Sequence, residues 1–365
     1  MNSPKRSAYT TGGSFLIRLV RTLGPERLGP LAALGLLVLL AWCLDTSGSF
    51  LTVQNFSNIL RQNSFVGIVA LGMTFVIILG GIDLSVGSMV ALLGGVGILF
   101  LNKAGGWWPG SSAPVWAAAG LMIVGGTMLG AVNGLVITAG RITPFIATLG
   151  GMAMFRSLAL LFIDGGEYRA SVSGFGALGA GSIETPLTFT PAGADSAIPL
   201  KLHYPTLVFF GLALALSFIL SRTTFGRRVY AVGDNDKAAL YAGVKLGHVR
   251  VATYALMGGL CGIAALLVSS RMNSVSSAQT GLMYELDAIA AVVVGGASMR
   301  GGSGRIFGTV VGVLILGVVN NMLNMISSSE TLAKLGMPNL NIAHAQGLVK
   351  GLIIIAAVWV QRGRA

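Results

Sequence analysis

The sequence predicts an all-α polytopic membrane protein of about ten transmembrane helices, built on an internal duplication. Three observations predict it. The 365 residues are 54% hydrophobic and only 10% charged, against about 25% charged in soluble domains, and the mean hydropathy is +0.80. Ten apolar runs recur between charges and turn residues, at roughly 30–46, 64–82, 84–101, 114–138, 143–163, 205–221, 250–270, 286–299, 305–326 and 347–361. Most come close to the ~20 residues that cross a bilayer as a helix. The 53 glycines suit helices that approach backbone to backbone in lipid.

Residues 1–29 form a basic segment with Lys5, Arg6, Arg18, Arg21 and Arg27. The apolar run that follows has no small-x-small cleavage site after it, so an uncleaved first helix is expected, and residues 30–365 form one transmembrane domain. Basic residues orient it. With a cytoplasmic N-terminus, sixteen Lys and Arg fall inside and six outside. Both termini and the basic loop 222–250 then lie in the cytoplasm. The loop 164–204, rich in Gly, Ser, Thr and Ala with Pro186, Pro191 and Pro199, lies outside as a cap or a mobile loop. The net charge of +12 is assigned to topology and to anionic membrane lipid rather than to nucleic acid. Cys43 and Cys261 sit in apolar runs and read as packing residues.

The second and third runs meet at Gly80-Gly81-Ile82-Asp83-Leu84-Ser85-Val86-Gly87-Ser88. A carboxylate there is costly unless it has work to do. Asp83 can line a path, cap the following helix or hold a loop, and Ser85 can also cap that helix. A GG-x5-G pattern at Gly80–Gly87 returns at Gly295–Gly302, an offset of 215 residues, which suggests the duplication. Asn133 in the fourth run and Asn320, Asn321 and Asn324 in the ninth can bind sugar hydroxyls or bridge helices, and bridging is the commoner use. Arg156 in the fifth run can snorkel to the outer interface, the commoner outcome, or pair with a carboxylate in the protein interior. Glu285 and Asp287 open the run 286–299, which is short for a full span and reads as a re-entrant or broken helix lining the path, or as a full helix that includes its charged ends.

In the loop 222–250, residues 236–243 predict a short helix. Asp236 lies at its start, Gly243 at its end, and Ala238, Leu240 and Tyr241 form an apolar face. Gly226, Gly233 and Gly243 are expected to set turns. His203, His248 and His344 have no metal-ligand spacing, and no catalytic constellation stands out.

The stretch GGIDLSVGS, the loop TTFGRRVYAVGDN-x-x-AA-x-x-AGV, YELDAIAAVVVGGASMRGGSGRIFGT at 284–309 and NN-x-x-N from Asn320 to Asn324 resemble the permease subunit of ribose/xylose-type ABC importers, from about residue 50 to the C-terminus. The segments 327–346 and 164–204 are longer than that pattern. The resemblance implies a bacterial inner-membrane permease, paired with itself or a paralogue, that forms the path for a monosaccharide. A periplasmic or lipid-anchored binding protein would deliver the sugar, and a cytoplasmic ATPase, holding ATP and Mg, would drive transport. This chain would bind no cofactor and is not itself an enzyme; it has no G-x4-G-K-S/T phosphate loop. Gly226, Arg227, Tyr230, Gly233, Asn235, Ala238, Ala239 and Gly243 would then couple to the ATPase. Asp83, Ser85, Asn133, Asn320, Asn321, Glu285 and Asp287 would be translocation-path candidates. The rival class is an ion-coupled secondary transporter of a small polar solute, which would normally carry more intramembrane carboxylates.

Overall fold

The structure, a computed structural model, describes residues 25–45, 48–108, 110–189, 198–327 and 346–362. The basic residues before Pro25, the centre of the 164–204 loop and most of the 327–346 segment lie outside the described residues.

Among the described residues thirteen helices follow in order: α1 (Pro25–Leu44), α2 (Val53–Ile78), α3 (Val86–Trp107), α4 (Ala113–Ala139), α5 (Pro144–Ile163), the single turn α6 (Ala177–Ala180), α7 (Tyr204–Arg222), α8 (Thr224–Asp234), α9 (Asp236–Tyr241), α10 (Leu246–Met272), α11 (Tyr284–Val294), α12 (Ile306–Ser327) and α13 (Gln346–Arg362). Seven of them, α2 to α5, α7, α10 and α12, are long and apolar enough to cross a membrane. The three remaining apolar runs correspond to α1, α11 and α13. At 11 residues, α11 is about 16 Å long, about half of a ~30 Å hydrocarbon core. The run 286–299 is therefore a half-length helix followed by a turn.

The fold is not purely helical. Strand β1 (Glu167–Arg169) pairs antiparallel with β4 (Ser274–Ser276), and β2 (Ser182–Phe189) pairs with β3 (Ile198–His203). The loop 164–204 thus carries a hairpin, with Ser182 opposite His203 and Glu184 opposite Lys201. The sequence hid this because Pro186 in β2 and Pro199 in β3 interrupt the alternation that marks a strand.

Helices α2, α3 and α10 form the buried centre, with Ile68, Leu71, Phe75, Met89, Val90, Tyr254 and Met257 fully enclosed. Helices α4, α5 and α7 turn apolar side chains outward, as at Leu161 and Leu214, each 75% exposed. An apolar surface of that extent matches lipid or a partner helix rather than water. The tightest helix pair is α4 with α10. Gly126, Gly130 and Gly134 on α4 rest directly on the α10 backbone at Gly258, Tyr254 and Val251, so a Cβ at any of the three would collide. This spacing of four puts the small residues on one face and presses Asn133 and Tyr254 toward the turn that precedes α3.

Candidate functional site

The site is built where α2 ends. Gly80 takes φ +83°; its N–H bonds the Ile77 carbonyl at 2.9 Å, and the Gly81 N–H bonds the Val76 carbonyl at 2.9 Å. This paired closure ends a helix and needs a left-handed residue. The chain then runs extended for a few residues before α3 starts. Gly296 closes α11 in the same way, with φ +94° and bonds from Gly296 to Val293 and from Ala297 to Val292. The two turns match at Gly80 and Gly296, one residue away from the offset that the glycine pattern suggested. The closing glycines differ: Gly87 lies inside α3, whereas Gly302 has φ +72° and donates its N–H to the Ile78 carbonyl at 2.9 Å.

Asp83 is fully buried in the extended segment. Its Oδ1 accepts from the Ser85 N–H at 2.9 Å and the Ser85 hydroxyl at 2.6 Å, an Asx turn; Oδ2 has no partner. Asp83 therefore holds the turn, and Ser85 does not cap α3 through its side chain. Ser85 Oγ instead accepts from Asn133 Nδ2 at 2.9 Å, while Thr148 on α5 donates to the Ile82 carbonyl at 3.2 Å. Residues from α4 and α5 thus clamp the entry to α3.

Half-helix α11 starts beside this entry. Gly87, in the first turn of α3, is packed against the Gly281 carbonyl and the Glu285 carboxylate with no room for a Cβ. Two helix N-termini therefore face one region, and each brings a carboxylate, Asp83 or Glu285, to the positive end of a helix dipole. Arg156 does not snorkel. Its Nη1 donates to the carbonyls of Ser277 at 2.8 Å and Thr280 at 3.1 Å, its charge acts on Glu285, and so it pins the run of turns between β4 and α11. Turns leave carbonyls without helix or sheet partners, which an interior arginine can satisfy.

The other path candidates lie apart. Asp287 forms an ion pair with Lys350 of α13, at 2.8 and 3.0 Å to its two oxygens, a tie between helices. Asn321 exchanges two amide bonds with Asn55 of α2, at 3.0 and 2.8 Å. Asn320 keeps a buried Oδ1 without a partner. Nearby, His203 joins the β2–β3 hairpin to α2. Ser57 Oγ donates to the Lys201 carbonyl at 3.0 Å, so His203 Nδ1–H donates to Ser57 at 3.3 Å and Nε2 accepts from Arg61 at 3.2 Å. Burial, then the charges of Arg61, Arg271 and Lys201, hold the His203 pKa below its usual value.

The 222–250 loop is a helical pair. Thr223 caps α8 by accepting from the Gly226 N–H, and Asn235 caps α9 by accepting from the Ala238 N–H at 3.0 Å. Sequence reasoning missed α8 because Gly226 and Gly233 were taken for turns. The signal was the spacing of Phe225, Val229 and Val232, one face of a helix. Both glycines are helical, and each is packed onto a carbonyl: Gly226 onto Leu220, Gly233 onto Ile78. Only Gly243 sets a turn, with φ +81°. Phe225 stacks on Phe75 with centroids 6.1 Å apart. Tyr230 donates to the Gly304 carbonyl at 2.7 Å, and burial raises its pKa. Ala239 faces inward at 4% exposure, whereas Leu240 and Tyr241 are 56% and 89% exposed. The outward face therefore includes Ala238, Leu240, Tyr241 and Arg227, and Ala239 belongs to the core.

Comparisons with known proteins agree with this architecture. The ribose import permease protein of Bacillus subtilis (strain 168) is 39% identical over 353 residues, covering 93% of this chain and 94% of that protein. The ribose import permease protein of Escherichia coli (strain K12) is 35% identical over 331 residues, covering 90% and 91%. The xylose transport system permease protein of the same strain is 33% identical over 374 residues, covering 90% and 89%. No solved structure matches the chain. Residues 55–358 match the family described as the branched-chain amino acid transport system / permease component, and the chain is a multi-pass membrane protein belonging to that family.

Proposed function

We propose that this chain is the membrane-spanning permease subunit of an ATP-binding-cassette importer for a monosaccharide of the ribose or xylose kind. The observation that carries this reading is the seating of the α8–α9 pair. Its inner side is locked to the Ile78 carbonyl and the Gly304 carbonyl, directly beneath the turn that holds Asp83. Its outer side offers Leu240 and Tyr241 to a partner. A push on that surface reaches the α3 entry through rigid backbone contacts. The names of the ribose and xylose relatives support a sugar as cargo.

In this reading 222–250 and both termini are cytoplasmic, and a separate ATPase, which binds ATP and Mg, docks on α8–α9. Gly226, Tyr230, Gly233, Asn235, Ala239 and Gly243 shape the docking element, while Arg227 and Ala238 lie on its exposed side. A periplasmic or lipid-anchored binding protein delivers the sugar at the end of the bundle that carries the β ladders. A second permease copy, identical or paralogous, completes the path. Asp83, Ser85, Asn133 and Glu285 lie at the junction of α3 and α11 and regulate passage, whereas Asp287 and Asn321 hold helices together.

The test is reconstitution of the chain with its ATPase and binding protein in proteoliposomes. Pentose should stimulate ATP hydrolysis, and uptake should persist when an uncoupler collapses the ion gradients. Uptake that fails with the gradients while ATP is held constant would establish the ion-coupled mechanism instead.

A further inference from the structure

We propose that a cavity of about 380 Å³, within this one chain and beside α9, binds a phosphate ester that carries free hydroxyl groups. The cavity lies between the Gly80–Gly81 turn, the α4–α5 connection and the first residue of α9. The proposal is separate from the importer reading, because it rests on the lining of the cavity alone.

The inner wall calls for hydroxyl partners. Tyr254 is fully buried, stands against Gly81, and its Oη has no hydrogen-bond partner. Thr138 Oγ1 is also buried without one. Two hydroxyls withdrawn from water and left unpaired are each destabilising. Both line the same cavity, so a polyhydroxylated molecule there would satisfy them together.

The mouth calls for an anion. Thr143 and Pro144 begin the 20-residue helix α5, and Thr143 makes no side-chain cap bond; Pro144 has no N–H, so the N–H groups that this helix start leaves without a cap are those of the next residues, Phe145 and Ile146. Arg141 occupies the left-handed region at φ 52° and has no ion-pair or hydrogen-bond partner among the described residues. Arg250 pairs with Asp236. The lining therefore holds two guanidinium groups against one carboxylate. A guanidinium fork beside an uncapped helix start suits phosphate, which both can bind through several oxygens. A ligand seated there would also touch Asp236, at the start of α9, and so would join the core to the docking element.

Two sources present this chemistry: a soluble sugar phosphate, and the glycerol phosphate headgroup of an anionic lipid. Equilibrium binding to the purified chain separates them. In nanodiscs of phosphatidylcholine alone, labelled ribose 5-phosphate is the probe, with inorganic phosphate and ribose as competitors. In a second set, retention of phosphatidylglycerol is measured by native mass spectrometry. At least one of the two esters is expected to bind saturably, with ribose unable to compete. Arg141→Gln should weaken it by about tenfold. Thr138→Val and Tyr254→Phe, which remove one hydroxyl each and keep the side-chain shape, should each weaken it by several-fold. Binding of neither ester, binding that survives Arg141→Gln and Tyr254→Phe unchanged, or ribose competing as well as its phosphate would each overturn the proposal.

Discussion

Asp83→Asn and Asp83→Ala should separate sharply. In the wild type, Oδ1 accepts two bonds, from the Ser85 N–H and the Ser85 hydroxyl, in a fully enclosed position. Asparagine keeps an oxygen at that place and removes a buried acid whose second oxygen has no partner, so its cost should stay within about 1 kcal/mol. Alanine leaves two buried donors without an acceptor. Each such loss costs ~1–3 kcal/mol. The hydroxyl can rotate toward another acceptor while the N–H cannot, which sets the total at about 2–4 kcal/mol. Denaturant or thermal unfolding in detergent gives the stability, and uptake at matched expression gives the function. Asparagine as destabilised as alanine would refute the turn-holding role. Asparagine that is stable but inactive, in vesicles whose wild-type uptake collapses with an uncoupler, would show that Asp83 must titrate.

Four further outcomes are expected. Leu240→Asp with Tyr241→Ala should abolish ATPase binding in pull-downs and leave the melting temperature of the permease unchanged, whereas Ala239→Asp should lower that temperature, because a charge would enter the core. Gly233→Ala should destabilise by about 1–3 kcal/mol, since its Cβ would meet the Ile78 carbonyl; a variant as stable as wild type would refute the close seating of α8. Arg156→Gln should lower stability and uptake, with partial retention in Arg156→Lys, because one donor to Ser277 and Thr280 survives. The contribution of His203 should be present above its unfolded value of about 6.5 and lost as pH falls from there through its depressed folded value. His203→Gln should remove that acid sensitivity of unfolding, and an unchanged pH profile would count against the tie that His203 makes between the hairpin and α2.

Legibility in the sequence followed physical range. The long helices were visible because each contains a long, mostly apolar stretch, and bilayer thickness fixes its length. Their ends were not: α2 begins at Val53 and includes Arg61 and Asn63, polar residues that contacts with the hairpin and α12 accommodate. The half-length of α11 was legible from the charges that bound its run. Asp83 was singled out because a carboxylate between apolar runs is expensive, and its turn-holding bonds to Ser85 are local, but the clamp on that turn comes from Asn133 and Thr148, 50 and 65 residues from Asp83 in sequence, which bond Ser85 and Ile82. The inward turn of Ala239 and the seating of Gly233 depend on long-range backbone contacts, which no local pattern encodes. The hairpin stayed hidden for the opposite reason: its strands are of ordinary length but each is broken by a proline, Pro186 or Pro199.

The Ile78 carbonyl has a mechanical consequence. It receives the Gly302 N–H, Gly233 rests on it, and Gly301 lies against both Gly233 and Gly80. Three stretches from separate parts of the sequence thus share a single peptide group as a pivot. A displacement of α8 cannot be taken up by one of the two glycine turns alone; the root of α3 and the root of α12 must travel in phase. In the proposed importer, a stroke delivered at the exposed face of α9 would reach both roots through this one carbonyl, and a lag between them would require the Gly302 N–H to release it.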